Sequence, residues 1–201
     1  ACETLRNGGL IAFATDTIYG IACDASNSQA VQNLYRLKNR DSKKPIAIFV
    51  KDIAMAKEIF IFDEISEKLA KNFLPGRLTL VLETKENKSS TLSKYLNQEN
   101  DHKKNEKFLG FRIVNHEFIK NLMIAFNGVL AVSSANISTQ KPALNAKEVE
   151  KCFKNTDLNL IIDGEMAKEQ KSSTVVKVKN NKIEVLRHGA IDQESLKVAL
   201  L

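Results

Sequence analysis

Lys38, Arg40, Lys43 and Lys44 crowd a seven-residue stretch that follows a run of helically spaced apolar residues. An arginine offers a planar fork to phosphate or carboxylate and a lysine a compact point charge, so the mixture suits a ligand carrying both kinds of anion. The same cluster also fits the last turn of a helix, where cations complement the dipole and face water. Upstream, Thr15-Asp16-Thr17 ends an apolar run in hydroxyls, and Gly20 behind Tyr19 lets backbone approach a ligand closely. Ser133-Ser134-Ala135-Asn136 ends another apolar run in small hydrogen-bonding residues, at the kind of strand terminus where α/β proteins hold ligands. Arg112 and Arg187 sit in or just after strand-like runs, at positions that face either solvent or a groove. Each feature alone also has a local reading as cap, turn or solvated face, so the chemistry depends on whether they converge.

Other devices are missing from the sequence. It has no GxxxxGK[ST] loop, GxGxxG fingerprint, HExxH helix or GxSxG elbow, so the common NTPase, dehydrogenase, zinc-protease and hydrolase readings lose support. His102, His116 and His188 are scattered. Cys2, Cys23 and Cys152 form an odd set without CxxC spacing, which fits a reducing compartment better than a disulfide or zinc framework. The net charge of +6 favours anionic partners. No apolar run approaches the roughly 20 residues of a membrane helix, so the expectation is a cytoplasmic protein without a membrane partner. The chain begins at Ala1 rather than Met, which leaves an organellar leader open.

The elements that must position these groups follow from periodicity. Residues 10–14, 46–50, 78–82, 129–132, 160–162, 174–178 and 183–186 read as strands, several buried on both faces. Residues 28–39 read as a helix with an apolar stripe at Ala30, Val31, Leu34, Tyr35 and Leu37, capped by Asn27 or Ser26. Ile65, Leu69 and Phe73 mark a helix stopped by Pro75 and Gly76. Phe118 to Phe126 marks another, running from an Asn115 cap to Gly128. Asn145 with Glu148 resembles a capping box, and Asp192 caps the last helix. The fold class is α/β, a mixed sheet flanked by helices, because some strands follow one another too closely for helical crossovers. At 201 residues one domain spanning 1–201 is expected, with a polar insertion at about 84–107 anchored only by Leu92, Tyr95 and Leu96, and a second loop at 164–173.

Eight segments in order, TDTIYG at 15–20, YRLKNR at 35–40, KPIAIFV at 44–50, LPGRLTLVL at 74–82, GFRI at 110–113, SSANIS at 133–138, SSTVV at 172–176 and RHG at 187–189, resemble the YrdC-like family of threonylcarbamoyl-AMP synthases. The resemblance covers nearly the whole chain and is to the short, single-domain type. It implies a twisted sheet around a basic concave groove, and a reaction that joins L-threonine, bicarbonate and ATP into threonylcarbamoyl-AMP and pyrophosphate. That product serves N6-threonylcarbamoyl modification of adenosine 37 in tRNA. Carried over, Thr17, Arg112, Ser134 and Ser173 hold threonine, and Arg40, Lys44, Asn136, backbone near Leu144 and Arg187 hold the nucleotide. Lys38 and Arg40 take the electrostatic catalytic role. Mg²⁺ arrives with ATP on its phosphate oxygens, no protein metal site is expected, and the product passes to a tRNA threonylcarbamoyl-transfer complex. One rival is a non-catalytic module of the same fold that binds tRNA or double-stranded RNA through the groove; the other is a carbamoyltransferase resembling the YrdC-like domains of larger hydrogenase-maturation and antibiotic-tailoring enzymes. The sequence departs from the family pattern at Phe49, Lys177 and His188.

Overall fold

The computed structural model describes residues 1–86, 92, 96, 99–101, 106–164 and 170–200. Most of the polar insertion expected at 84–107, Tyr95 included, and residues 165–169 of the second loop lie outside the described residues. In chain order the elements are α1 (Cys2–Arg6), β1 (Ile11–Phe13), β2 (Gly20–Asp24), α2 (Ser28–Leu37), β3 (Ala47–Phe49), α3 (Ile53–Ile59), α4 (Glu64–Phe73), β4 (Leu78–Glu83), β5 (Glu99–Asp101) and β6 (Glu106–Arg112). They continue with α5 (Glu117–Phe126), β7 (Leu130–Ser134), α6 (Ala146–Cys152), β8 (Leu160–Ile161), β9 (Thr174–Lys179), β10 (Lys182–Arg187) and α7 (Gln193–Val198).

One mixed sheet of ten strands runs in the order β10-β9-β4-β6-β3-β7-β2-β1-β8, with β5 alongside β6. Side chains alternate between its faces, and the two faces have different fates. Ile21, Ile48, Leu80, Phe111 and Val176 join Val31, Leu34 and Leu69 of α2 and α4 in the main core. There the Phe60 and Phe111 rings stack with centroids 4.7 Å apart. On the other face Phe13, Ala22, Phe49, Leu130 and Val132 pack with Leu5 of α1 and Ile119, Leu122 and Met123 of α5. Those two helices cover the β1-β2-β7 side of that face and the Phe49 end of β3, and the remaining face across β3, β6, β4 and β9 opens into a cavity.

Local capping explains the helix boundaries. Asn27 accepts from the Gln29 and Ala30 amides at the start of α2, Asp63 and Ser66 form a capping box on α4, and Asp192 caps α7. Asn145 caps α6 through the Glu148 amide, while the Glu148 carboxylate reaches back to the Leu144 amide. The start of α5 differs from expectation. His116, not Asn115, is the cap residue and supplies no side-chain hydrogen bond; the helix ends at Asn127, whose left-handed φ of 51° is one that asparagine tolerates well. Strand β2 and helices α1 and α3 were not expected: each is at most seven residues long, too short for a periodic signal.

Candidate active site

Strand register builds the cavity floor. Val81 pairs with Gly110, Phe49 with Arg112, Thr79 with Val175, Ala47 with Val132 and Gly20 with Ser134, and all ten residues line one cavity of about 410 Å³. Apolar side chains from β3, β4, β6 and β9 form its base, and polar groups from the strand ends and loops form its rim. Arg40, Lys44, Arg112 and Arg187 line it, whereas no carboxylate or imidazole does among the described residues. Of the expected site residues, Thr17, Arg40, Lys44, Arg112, Ser134, Ser173 and Arg187 therefore meet in one place.

Lys38, Asn136 and Leu144 do not line it. Lys38 follows the last residue of α2, only 1% exposed, and its ammonium donates to the Ser134 carbonyl, to the Asn136 carbonyl at 2.6 Å and to Asn136 Oδ1 at 3.3 Å. Burial and the charge of Arg40 pull its pKa down to about 7. Asn136 Oδ1 also accepts from Ser134 Oγ at 2.5 Å, and its Nδ2 donates to the Ile137 and Gln140 carbonyls at 2.8 Å each. With donors and acceptor all committed, Asn136 is a bracket for the turn after β7, and Lys38 is the post behind it. Leu144 stands at the entry to α6 with its amide on Glu148.

The cations on the rim are held by carbonyls and hydroxyls. Arg40 donates from Nε to the Lys44 carbonyl at 3.2 Å and from a terminal nitrogen to the Pro45 carbonyl at 2.9 Å. The Tyr35 hydroxyl, its pKa raised to about 12 chiefly by burial, also donates to the Lys44 carbonyl and fixes the same loop. Arg187 clamps Ser173, reaching its carbonyl at 2.8 Å and Oγ at 3.0 Å, while Ser173 Oγ lies 2.8 Å from Thr79 Oγ1. Gly189 is required beside this clamp, because a Cβ there would fall 2.5 Å from the Ser173 carbonyl carbon. Desolvation and the nearby Arg40 lower the pKa of Arg187.

Arg112 is the most constrained cation. It is 4% exposed and donates to the Gly76 carbonyl at 2.7 Å, to Thr17 Oγ1 at 2.9 Å and to Asp16 Oδ1 at 2.6 Å. Thr15 Oγ1 donates to the Ile18 carbonyl at 2.7 Å, so the Thr17 hydroxyl gives its only proton to Thr15 and accepts from Arg112. This relay orients the guanidinium and leaves two of its five N–H groups for a ligand. Burial lowers the Arg112 pKa, Asp16 opposes that, and Arg187 and Arg77 add to it. Sequence reasoning missed Asp16 as a partner for Arg112, and missed the floor residues Thr79, Val81, Phe108 and Gly110. The spacing of Gly110 and Arg112 in GFRI carried the signal, since residues two apart on a strand share a face.

The fold and site define an α/β protein with a small, polycationic cavity on one face of a mixed sheet, lined by no carboxylate among the described residues. Residues 3–189 match the Sua5/YciO/YrdC family model, described as "Telomere recombination", and the chain belongs to that family. A threonylcarbamoyl-AMP synthase from Bos taurus is 38% identical over 164 residues, covering 82% of this chain and 55% of its own length. A Methanocaldococcus jannaschii relative is 31% identical over 195 residues, 96% of this chain and 86% of its own. The crystal structure of P. abyssi Sua5 complexed with L-threonine superposes with a TM-score of 0.89 at 28% identity, over 99% of this chain and 56% of that one. The chain thus spans about half the length of the mammalian relatives it matches. Among the described residues, no helix is long and apolar enough to cross a membrane.

Proposed function

We propose that this chain is an L-threonylcarbamoyladenylate synthase, a nucleotidyltransferase working for N6-threonylcarbamoyladenosine formation in tRNA. The observation that carries the reading is the cavity where Arg40, Lys44, Arg112 and Arg187 meet with no carboxylate in the lining among the described residues. In the reaction the threonine amine attacks bicarbonate, a C–N bond forms and hydroxide leaves as water. A carboxylate oxygen of the resulting carbamate then attacks the α-phosphorus of ATP and expels pyrophosphate. Three anionic groups must approach one another, and two unit charges 4 Å apart repel by about 4 kcal/mol at an effective dielectric near 20. Fixed cations remove that repulsion without reorganising at the moment of reaction.

The two remaining N–H groups of Arg112 suit the threonine carboxylate, with the Ser134 and Ser173 hydroxyls beside it. Arg40, Lys44 and Arg187 suit the phosphates. Lys38 and Asn136 act by holding the Ser134 turn in place, which alters the direct role expected of both. The lining offers neither histidine nor carboxylate among the described residues, so catalysis rests on proximity and charge rather than on a protein general base. Mg²⁺ enters with ATP on the phosphate oxygens, and the adenylate passes to a tRNA-modifying partner. A 410 Å³ cavity suits small reactants better than an RNA duplex, which favours catalysis over the binding-module reading.

The test is incubation with ATP, bicarbonate and labelled threonine. A threonine-dependent adenylate and equimolar pyrophosphate are expected, with loss of both in Arg40→Ala; salt-sensitive RNA binding without any adenylate would favour the binding module instead.

A further inference from the structure

One buried hydroxyl stands on the apolar base of the substrate cavity. Along β4, Leu78, Leu80 and Leu82 face the main core, while Thr79 and Val81 face the cavity. A valine would fill the volume of Thr79, and a buried hydroxyl is costly unless it is hydrogen-bonded. The parallel register of β4 with β9, Leu78 opposite Thr174 and Thr79 opposite Val175, brings Ser173 to the same face. There Thr79 Oγ1 lies 2.8 Å from Ser173 Oγ, and it has no other hydrogen-bond partner among the described residues. The methyl group points toward Gly110, where an added Cβ would sit 3.3 Å from it.

The three hydroxyls expected to hold threonine differ in where their protons go. Thr17 gives its proton to Thr15 and Ser134 gives its proton to Asn136 Oδ1, so both meet a ligand only as acceptors. Ser173 is different. Its oxygen accepts from an Arg187 N–H at 3.0 Å, which leaves one lone pair and one proton, and Thr79 takes one of the two. If Ser173 donates to Thr79, it presents a lone pair to an incoming anion and repels it. If Thr79 donates to Ser173, both lone pairs are engaged and the Ser173 proton is the group left for the cavity.

We propose that Thr79 is a positioning residue that acts through Ser173: an anionic oxygen of the amino-acid substrate draws the Ser173 proton, and Thr79 turns to donate in its place. Two O–H groups rotate, and no bond to hydrogen breaks. Ser173 thereby meets the substrate as a donor, held by Arg187 on one side and Thr79 on the other. The proposal rests on the synthase reading and adds to it the residue that sets the polarity of Ser173.

A double-mutant cycle in the full chain tests it, with Thr79→Val, Thr79→Ser, Ser173→Ala and Thr79→Val combined with Ser173→Ala. The readouts are KM for each substrate, kcat, and threonine binding by calorimetry. Thr79→Val keeps the volume and should raise the threonine KM and Kd about fivefold, the worth of one hydrogen bond, with the ATP KM and kcat within about twofold of wild type. Thr79→Ser keeps the hydroxyl and should restore most of the affinity. With Ser173→Ala already present, Thr79→Val should change nothing further, because the group it positions is gone. The full loss persisting in that background, an equal rise in the ATP KM, or Thr79→Ser as weak as Thr79→Val would overturn the proposal and leave the synthase reading standing. Wild-type protein that neither binds threonine nor makes an adenylate would overturn the synthase reading and the proposal with it.

Discussion

Replacing Lys38 with methionine keeps the length of the side chain and removes its charge, which isolates what a buried ammonium does behind the site. The pKa of Lys38 falls from 10.5 to about 7, so in the folded state its proton is disfavoured by about 5 kcal/mol. The folded pKa lies below the unfolded one. Between about pH 7 and 10.5 the unfolded chain therefore binds more protons, and stability contributed by this group rises with pH; below pH 7 both states are protonated and the contribution is flat. From pH 7 to pH 9 the gain is about 2 kcal/mol. The methionine variant lacks this slope and leaves the carbonyls of Ser134 and Asn136 without their donor. Urea unfolding of both proteins at pH 6, 7.5 and 9 measures the difference directly. Wild type should gain on the variant as pH rises above 7, and the variant should lose synthase activity through a displaced Ser134 turn. Parallel stability curves would show that the ammonium is not desolvated, and the account of Lys38 as a buried post would fall.

Gly189→Ala should destabilise the protein by about 3 kcal/mol, because its Cβ would meet the Ser172 carbonyl oxygen and lie 2.6 Å from that of Ser173, both backbone atoms that cannot swing aside; an unchanged denaturation midpoint would refute this. Gly110→Ala should leave the fold intact, since the added carbon lies 3.3 Å from Thr79 Cγ2 and 3.5 Å from Ala47 Cβ. It narrows the cavity beside Arg112, so the KM for threonine should rise about tenfold with that for ATP unmoved. Equal rises for both substrates would place the amino acid elsewhere in the cavity.

The parts of this molecule legible in the sequence are those with a strong local cause. The apolar stripe of α2 and its Asn27 cap, the Pro75-Gly76 stop and the Asp192 cap all appear as read. The convergence of Thr17, Arg40, Lys44, Arg112, Ser134, Ser173 and Arg187 came from the resemblance, not from periodicity, because sheet order places residues 95 apart, such as Thr17 and Arg112, in contact. What escaped was determined by pairing. Strand β2 is five residues long, and only its register against β1 and β7 identifies it. Lys38 looked like a cation for a ligand because a sequence does not say which way a lysine after a helix points; the distance to Asn136 does. Asp16 looked like a turn residue, and only the reach of the β1–β2 loop to the end of β6 makes it the partner of Arg112.

The way the cations are tied explains why the cavity keeps its charge. Arg40 and Arg187 are oriented by carbonyl and hydroxyl oxygens, which fix direction without cancelling charge. Among the described residues Arg112 alone of these leans on a carboxylate, and it is also the most buried of the three, where an unpaired guanidinium would be hardest to sustain. The result is repulsion among the cations: Arg40 depresses the pKa of Arg187, and Arg187 in turn depresses that of Arg112. A protein selected only for stability would relieve that repulsion with a nearby Asp or Glu, yet none lines the cavity among the described residues. The strain is relieved when a polyanion enters, so binding free energy and neutralisation of the rim are the same event. That is the condition the proposed reaction sets, in which a carbamate must approach a triphosphate.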